Sequence, residues 1–238
     1  MQRLNEIWLY VAQTPLFWLT MTVTVYKVAV WLYRRAGMMP LLNPVLIAMM
    51  MMVAILQLSH TPYKIYFNNT QFIHFLLGPA TVALAIPLYG YYHKLKLMVI
   101  PILGALMVGS LMGIISAVAL GWLMGLSRVT LLSLMAKSVT TPIAMGISEQ
   151  VGGLPSLTAV FVIITGIIGA VIAPTLLDLS QIKEDSVRGF AIGLSSHGLG
   201  TARAFQMNEE TGAFSGLGMG LNGLLTAILV PLLVWLWG

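Results

Sequence analysis

Eight apolar runs follow one another with only short polar connections, at about 16–33, 42–58, 72–92, 98–124, 129–149, 156–178, 187–207 and 213–237. Each is close to the roughly 20 residues that a helix needs to cross the hydrocarbon of a bilayer. Lipid satisfies no backbone amide, so apolar runs of this length fold as helices bonded within themselves. Composition agrees: 58% of the 238 residues are hydrophobic and 8% charged, against about 25% charged in a soluble domain. The fold class expected is an all-α polytopic membrane protein, a single transmembrane domain over 1–238 embedded in a lipid bilayer. With no cysteine, disulfides, thiolate metal sites and cysteine nucleophiles are excluded. The net charge of +5 is spread between apolar runs as the positive-inside rule produces, so nucleic acid is not an expected partner.

The basic residues argue an orientation. Placing Arg34, Arg35, Lys94, Lys96, Lys183 and Arg188 all in the cytoplasm requires that only one of runs five and six crosses. Run six carries no charge from Leu157 to Leu177, whereas run five contains Lys137 and Pro142. Run five is therefore expected to be re-entrant or broken, leaving seven crossings with the N-terminus outside. Glu6 ahead of the first run, and Lys27 within it, mark a retained helix rather than a cleaved signal.

A shift of about 117 residues superimposes the starts of runs one to four on those of runs five to eight. That spacing predicts repeat halves at about 1–127 and 128–238, inverted because run five does not cross. Gly- or Pro-interrupted helices at matching places in inverted halves are the best sequence pointer to a transport site.

Two clusters carry polar groups where lipid cannot satisfy them. In the first, Lys137, Ser138, Thr140 and Thr141 precede Pro142. A lysine at mid-bilayer costs roughly 2.5–3.5 kcal/mol on insertion scales, and Pro142 withholds a backbone donor. One cation, several hydroxyls and a broken helix end make a seat for a small anion; the plainer alternative is a lysine that snorkels to an interface. In the second, Gly193, Gly198 and Gly200 surround Ser195, Ser196, His197, Thr201 and Arg203. Arg203 has a fork of donors suited to a carboxylate, and His197 titrates near neutral pH; helix packing through small residues is the alternative. Asn43, before Pro44, either completes such a site or caps a helix. The methionines at 49–52 are expected to pack rather than bind metal.

Enzyme signatures are missing. No HExxH, phosphate-binding loop or nucleophile elbow occurs, and none of the seven acids falls at mid-span. The expectation is a protein that is not an enzyme and takes no cofactor and no metal.

At these two clusters the chain resembles the LrgB/CidB family, which includes bacterial antiholin-like proteins and the plant plastid glycolate/glycerate translocator. The resemblance is carried by 137–145 (KSVTTPIAM), 152–159 (GGLPSLTA), 163–170 (IITGIIGA) and 193–204 (GLSSHGLGTARA), with weaker patches at 40–44 (PLLNP) and 82–89 (VALAIPLY). Ala136 stands where the family pattern has Pro. The resemblance implies an inverted-repeat fold like that of elevator transporters, and two competing functions. One is transport of small monocarboxylates of the glycolate, glycerate, pyruvate or lactate type, coupled to an ion or proton. The other is holin/antiholin-like regulation of murein hydrolase activity and autolysis with a small LrgA/CidA-type membrane partner. A homo-oligomer is expected in either case. On the transport reading Lys137 and Arg203 neutralise the carboxylate. The hydroxyls of Ser138, Thr140, Thr141, Ser195, Ser196 and Thr201 hold its oxygens, with His197 and Asn43 completing the site.

Overall fold

The computed structural model describes residues 14–37 and 42–238, apart from the side chains at 74, 77 and 81. Glu6, and Pro40 of the PLLNP patch, lie outside the described residues. The chain forms two compact units, one ending at Ala83 and one beginning at Leu84.

The first unit holds α1 (Pro15–Arg35), α2 (Pro44–Leu58), α3 (Tyr63–Asn69) and α4 (Gln71–Ala83). Proline opens both α1 and α2, where its missing N–H is not needed. Trp18, Val25 and Met52 form the core, with the Tyr66 ring edge-on to Trp18 at 5.5 Å. The methionine run divides between two environments. Met52 is buried beside Trp18 while Met50 stays exposed, as helical periodicity requires of residues two apart.

The second unit holds α5 (Ala85–Gly90), α6 (Tyr92–Leu97), α7 (Val99–Leu123), α8 (Arg128–Leu134), α9 (Thr141–Val151), α10 (Pro155–Leu179), α11 (Asp185–Met207) and α12 (Glu209–Trp237). Three of these are long: α7 and α10 have 25 residues each and α12 has 29. At 1.5 Å per residue, 25 residues reach about 37 Å, enough for a hydrocarbon core of about 30 Å. Counted by length and composition among the described residues, five segments can cross: Pro15–Arg35, Gln71–Gly90, Val99–Leu123, Pro155–Leu179 and Glu209–Trp237, with Pro44–Leu58 shorter.

Run five breaks as expected. Helix α8 ends at Leu134, α9 begins at Thr141, and neither, at 7 and 11 residues, can cross alone. The chain then returns to where it left. Leu154 N–H donates to Ser133 Oγ (2.8 Å), and the Thr158 hydroxyl reaches both the Ser133 carbonyl (3.0 Å) and Ser148 Oγ (2.7 Å). Gly152, at φ 85°, stops α9 in the left-handed conformation glycine tolerates best. Residues 128–153 are thus a helical hairpin with its tip at 135–140.

Run seven does not cross, and the expectation of seven crossings is corrected here. Within α11, His197 adopts φ 43°, ψ −135°, and the helix reverses. A Cβ placed on Gly200 would lie 2.9 Å from Ile192 Cγ2; eight residues apart on a straight helix they would be about 12 Å apart. Both arms run beside the first turns of α12: Gly189 and Gly193 pack on the backbone of Thr211 and Ser215, while Thr201 Oγ1 lies 3.0 Å from Ser215 Oγ and Gly212 packs on Phe205. Residues 185–208 are a second hairpin with its tip at His197. Spacing read this run as a crossing because its length fits one; only the contacts between its arms reveal the turn.

The two hairpins come from opposite ends of α12. The base of the first lies by its C-terminal end, where the Arg128 guanidinium donates to the Gly238 carbonyl (2.6 Å) and faces the Trp237 ring. The base of the second lies by its N-terminal end, where Thr211 Oγ1 donates to Asp185 (3.3 Å). Lys94, Lys183 and Arg188 belong to that N-terminal end: Lys94 bridges Glu184 and Glu210, and Arg188 pairs with Asp178 at 2.6 Å. The positive-inside rule places the more basic end in the cytoplasm. With the second hairpin re-entrant, α12 leads outward. A phosphatase fused after Gly238 is therefore expected to be active and a fluorescent protein there dark. The seven-crossing arrangement gives the opposite pattern, and observing it would overturn this orientation.

The Lys94 bridge has a defined pH window. Its hydrogen bond to Lys94 holds the Glu184 carboxyl below the usual carboxylate range, and the contacts with Glu184 and Glu210 raise Lys94 above the usual lysine range. A depressed carboxylate stabilises above its unfolded value of about 4.3, and the effect is lost as pH falls through the folded value. A raised lysine stabilises below about 10.4, and the effect is lost as pH rises through the folded value. The bridge is thus intact from about pH 5 to 9, and its exposure keeps the contribution small. Lys94→Gln is expected to flatten the acid limb of the melting temperature between about pH 5 and 3, measured in detergent; an unchanged limb would show that the bridge contributes nothing.

Candidate functional site

The two hairpin tips meet at the middle of α12, on Asn222. A helix that continued through residue 142 would give the Ser138 carbonyl a partner four residues on, but Pro142 has no N–H. In the second hairpin the reversal at His197 interrupts the bonding of the turn before it. Asn222 Nδ2 donates to both carbonyls set free, Ser138 O at 3.1 Å and Leu194 O at 2.9 Å. Its Oδ1 accepts from Ser110 Oγ (2.7 Å) on α7 and from Thr226 Oγ1 (3.2 Å) one turn on. All four hydrogen-bonding positions of the amide are used, and Asn222 is 2% exposed. An unmade bond here would leave a buried polar group costing about 1–3 kcal/mol.

Beside this amide lies a cavity of about 110 Å³ lined by Gly109, Ser110, Lys137, Ser138, Ser195 and Thr226 among others. Lys137 is half-buried, and its ammonium donates to Ser138 Oγ at 3.0 Å. Among the described residues no carboxylate pairs with it. The remaining polar lining groups are hydroxyls and the amide, so the cavity holds one positive charge and several neutral hydrogen-bonding groups. One water needs about 10–15 Å³ of such space, so the cavity suits a small solute of several heavy atoms.

Of the residues singled out from sequence, the structure brings Lys137, Ser138 and Ser195 together in that cavity. Thr140 precedes α9 as its N-cap with no side-chain cap bond, and Thr141 begins the helix; both are half-buried beside the tip. Ser196 is buried against α10, where Gly169 leaves room for it, with its hydroxyl 3.0 Å from that of Ser195. His197 is buried too. Its Nε2 lies 2.9 Å from the Val162 carbonyl, which only accepts, so that nitrogen carries a proton. A side chain at Gly166 would collide with the ring. Thr201 ties the returning arm to α12 through Ser215, and donates back to the His197 carbonyl at 2.9 Å. Arg203 lies further along that arm with Gln206 at 3.1 Å, not among the cavity-lining residues. Asn43 belongs to the first unit, where its side chain caps α2 by accepting from Val45 N–H at 2.9 Å.

Sequence reasoning missed Asn222, Ser110 and Thr226. The signal for Asn222 was present: an amide in the middle of a 29-residue apolar helix must find partners within the protein. Ser110 and Thr226 gave no signal, because lone hydroxyls in membrane helices usually bond back to their own helix. Among the described residues no three of His, Cys, Asp and Glu gather as a metal site would need.

The profile of the LrgB-like family matches residues 22–236. YxaC of Bacillus subtilis (strain 168), which bears the description uncharacterized protein, is 40% identical over 91% of this chain and 94% of its own length. The holin-like protein CidB of Staphylococcus epidermidis is 32% identical over 83% of this chain and 86% of its own. The antiholin-like protein LrgB of Bacillus cereus (strain B4264) is 30% identical over 92% of this chain and 95% of its own. No solved structure matches the chain.

Proposed function

This chain belongs to the LrgB-like family, and from that premise we propose that it carries small monocarboxylates across a membrane through the cavity where its two hairpins meet. The observation that carries the reading is Lys137: a lone cation, unpaired with any carboxylate among the described residues, in a cavity of about 110 Å³ lined with hydroxyls. A buried charge left without a counter-ion is costly, and an anionic solute of a few heavy atoms supplies the missing charge. A glycolate- or pyruvate-sized acid fits that description.

The arrangement of elements supports the same reading. A hairpin followed by a long helix occurs twice, over 128–179 and 185–237, with the hairpins arriving from opposite ends of α12. On this reading the repeat unit is a hairpin plus a long helix, repeated inside 128–237, rather than the halves at about 1–127 and 128–238 expected from spacing, and a site between broken helices is where carriers of this kind bind.

The second reading is a holin/antiholin-like regulator of autolysis, working with a small LrgA/CidA-type partner. The names of the relatives, holin-like CidB and antiholin-like LrgB, favour it over the carrier; the cavity and its cation favour the carrier. The deciding experiment loads the purified protein into vesicles and measures uptake of labelled pyruvate, glycolate and lactate at two pH values, with and without sodium. Saturable uptake supports the carrier. Unsaturable leak of large solutes, or activity only after an LrgA-type protein is added, supports the second reading.

A further inference from the structure

We infer that Asn222 is the bolt holding the two re-entrant hairpins shut at once, so that the described conformation is closed toward both ends of α12. This concerns the gates rather than the solute. It deepens the proposed carrier but does not rest on the identity of anything carried.

The inference follows from how many bonds one amide can make. Its nitrogen has two hydrogens, and each goes to a different hairpin: one to Ser138 O, the other to Leu194 O. The two carbonyls are set free by different breaks, Pro142 and the reversal at His197, and they reach the same atom from opposite ends of the helix. Neither tip can lift without giving up its bond, yet each can lift while the other stays. The oxygen of the amide is held from outside both hairpins, by Ser110 on α7 and by Thr226 on α12. The amide is therefore anchored to the long helices and offers its donors to the movable tips. Among the described residues lining the cavity, no other side chain bonds both hairpins. One residue bonded to both tips holds both gates in the closed position at once.

Removing the amide leaves two carbonyls without donors in a buried place. Water is then their best partner, and reaching it requires the tips to move apart. Loss of two buried hydrogen bonds amounts to about tenfold or more in the open fraction. Asn222 is a positioning residue on this account, and shape alone does not replace it.

The chain has no cysteine, which permits a direct test. Single cysteines replacing Ser138 or Leu194, both half-buried and both lining the cavity, are presented in the full chain, in sealed vesicles of known orientation, to a membrane-impermeant methanethiosulfonate from either side, with no solute present. In the native background both are expected to react slowly from both sides. With Asn222→Leu, which keeps volume but removes the donors, labelling is expected to rise about tenfold or more from both sides. Ser110→Ala, which loses only one anchor of the amide, is the milder variant should Asn222→Leu not fold; it is expected to raise labelling from both sides by less. Unchanged labelling overturns the inference, and so does a rise from one side only, which would tie Asn222 to a single gate. Because no solute is added, this outcome is independent of whether the protein carries monocarboxylates.

Discussion

Lys137→Met is expected to abolish carboxylate uptake while leaving the protein folded and no less stable. The ammonium stands in a cavity with hydroxyl and amide neighbours and no carboxylate among the described residues. In the absence of solute it is a half-buried charge held by one serine, and methionine of similar length fills the space without that charge. Removing a charge that has no counter-ion removes its desolvation cost, so no loss of stability is expected. For an anion the consequence is reversed. It would enter a cavity with no counter-charge, and truncating one partner of a buried charge pair costs about 2–5 kcal/mol, or about 30-fold to several thousandfold in affinity. The pair of measurements is uptake of labelled pyruvate in vesicles and melting temperature in detergent. Lost uptake with unchanged or raised melting temperature supports the role; native uptake removes Lys137 from it. Arg203→Ala is a useful companion, since Arg203 lies outside the cavity lining with Gln206 nearby. Spacing alone gave the two cations equal claims, whereas the structure favours a larger loss at Lys137.

Gly193→Ala is expected to be among the most damaging single-methyl additions in the chain. The new Cβ would lie 1.9 Å from the Ser215 carbonyl oxygen and 2.8 Å from Ser215 Cα. Those are backbone atoms of α12 and cannot swing aside as a side-chain end can. Relief requires the first arm of the hairpin to move off α12, which takes Leu194 O away from Asn222. Overpacking costs about 1–3 kcal/mol and more where backbone must shift, so loss of expression or a clear fall in melting temperature is expected. Gly220→Ala on the same long helix is the control. Its Cβ would meet nothing within 4 Å, and alanine is the better helix former by about 1 kcal/mol. Equal behaviour of the two variants in detergent would show that the close approach at Gly193 does not hold the hairpin.

Some features were legible because they depend on local chemistry. The apolar runs predict helices wherever lipid denies the backbone other partners, and long helices occupy runs four, six and eight. Pro142, next to a lysine and three hydroxyls, predicts a broken run five, and the break falls at 135–140. Lys137, Ser138 and Ser195 were singled out as polar groups that lipid could not satisfy, and they share one cavity. Other candidates from the same reasoning bond elsewhere in the protein. Asn43 caps its own helix, and His197 bonds the carbonyl of Val162. Periodicity and composition identify groups that need a partner, but they do not say which partner is found.

What the sequence determined by itself is the solvent and the material: a chain too poor in charge for water, folded as helices, with a break in run five where Pro142 follows a lysine and clustered hydroxyls. These are properties of each segment against lipid. Tertiary structure alone decided that run seven turns back at His197, that the hairpins arrive from opposite ends of α12, and that Asn222 joins residues 84 and 28 positions away. A reversal is set by one residue's dihedral angles and by contacts between arms, and a bridging amide by what lies beside it in space. Neither leaves a mark in the spacing of apolar residues, because a hairpin and a crossing helix of equal length bury the same kind of surface.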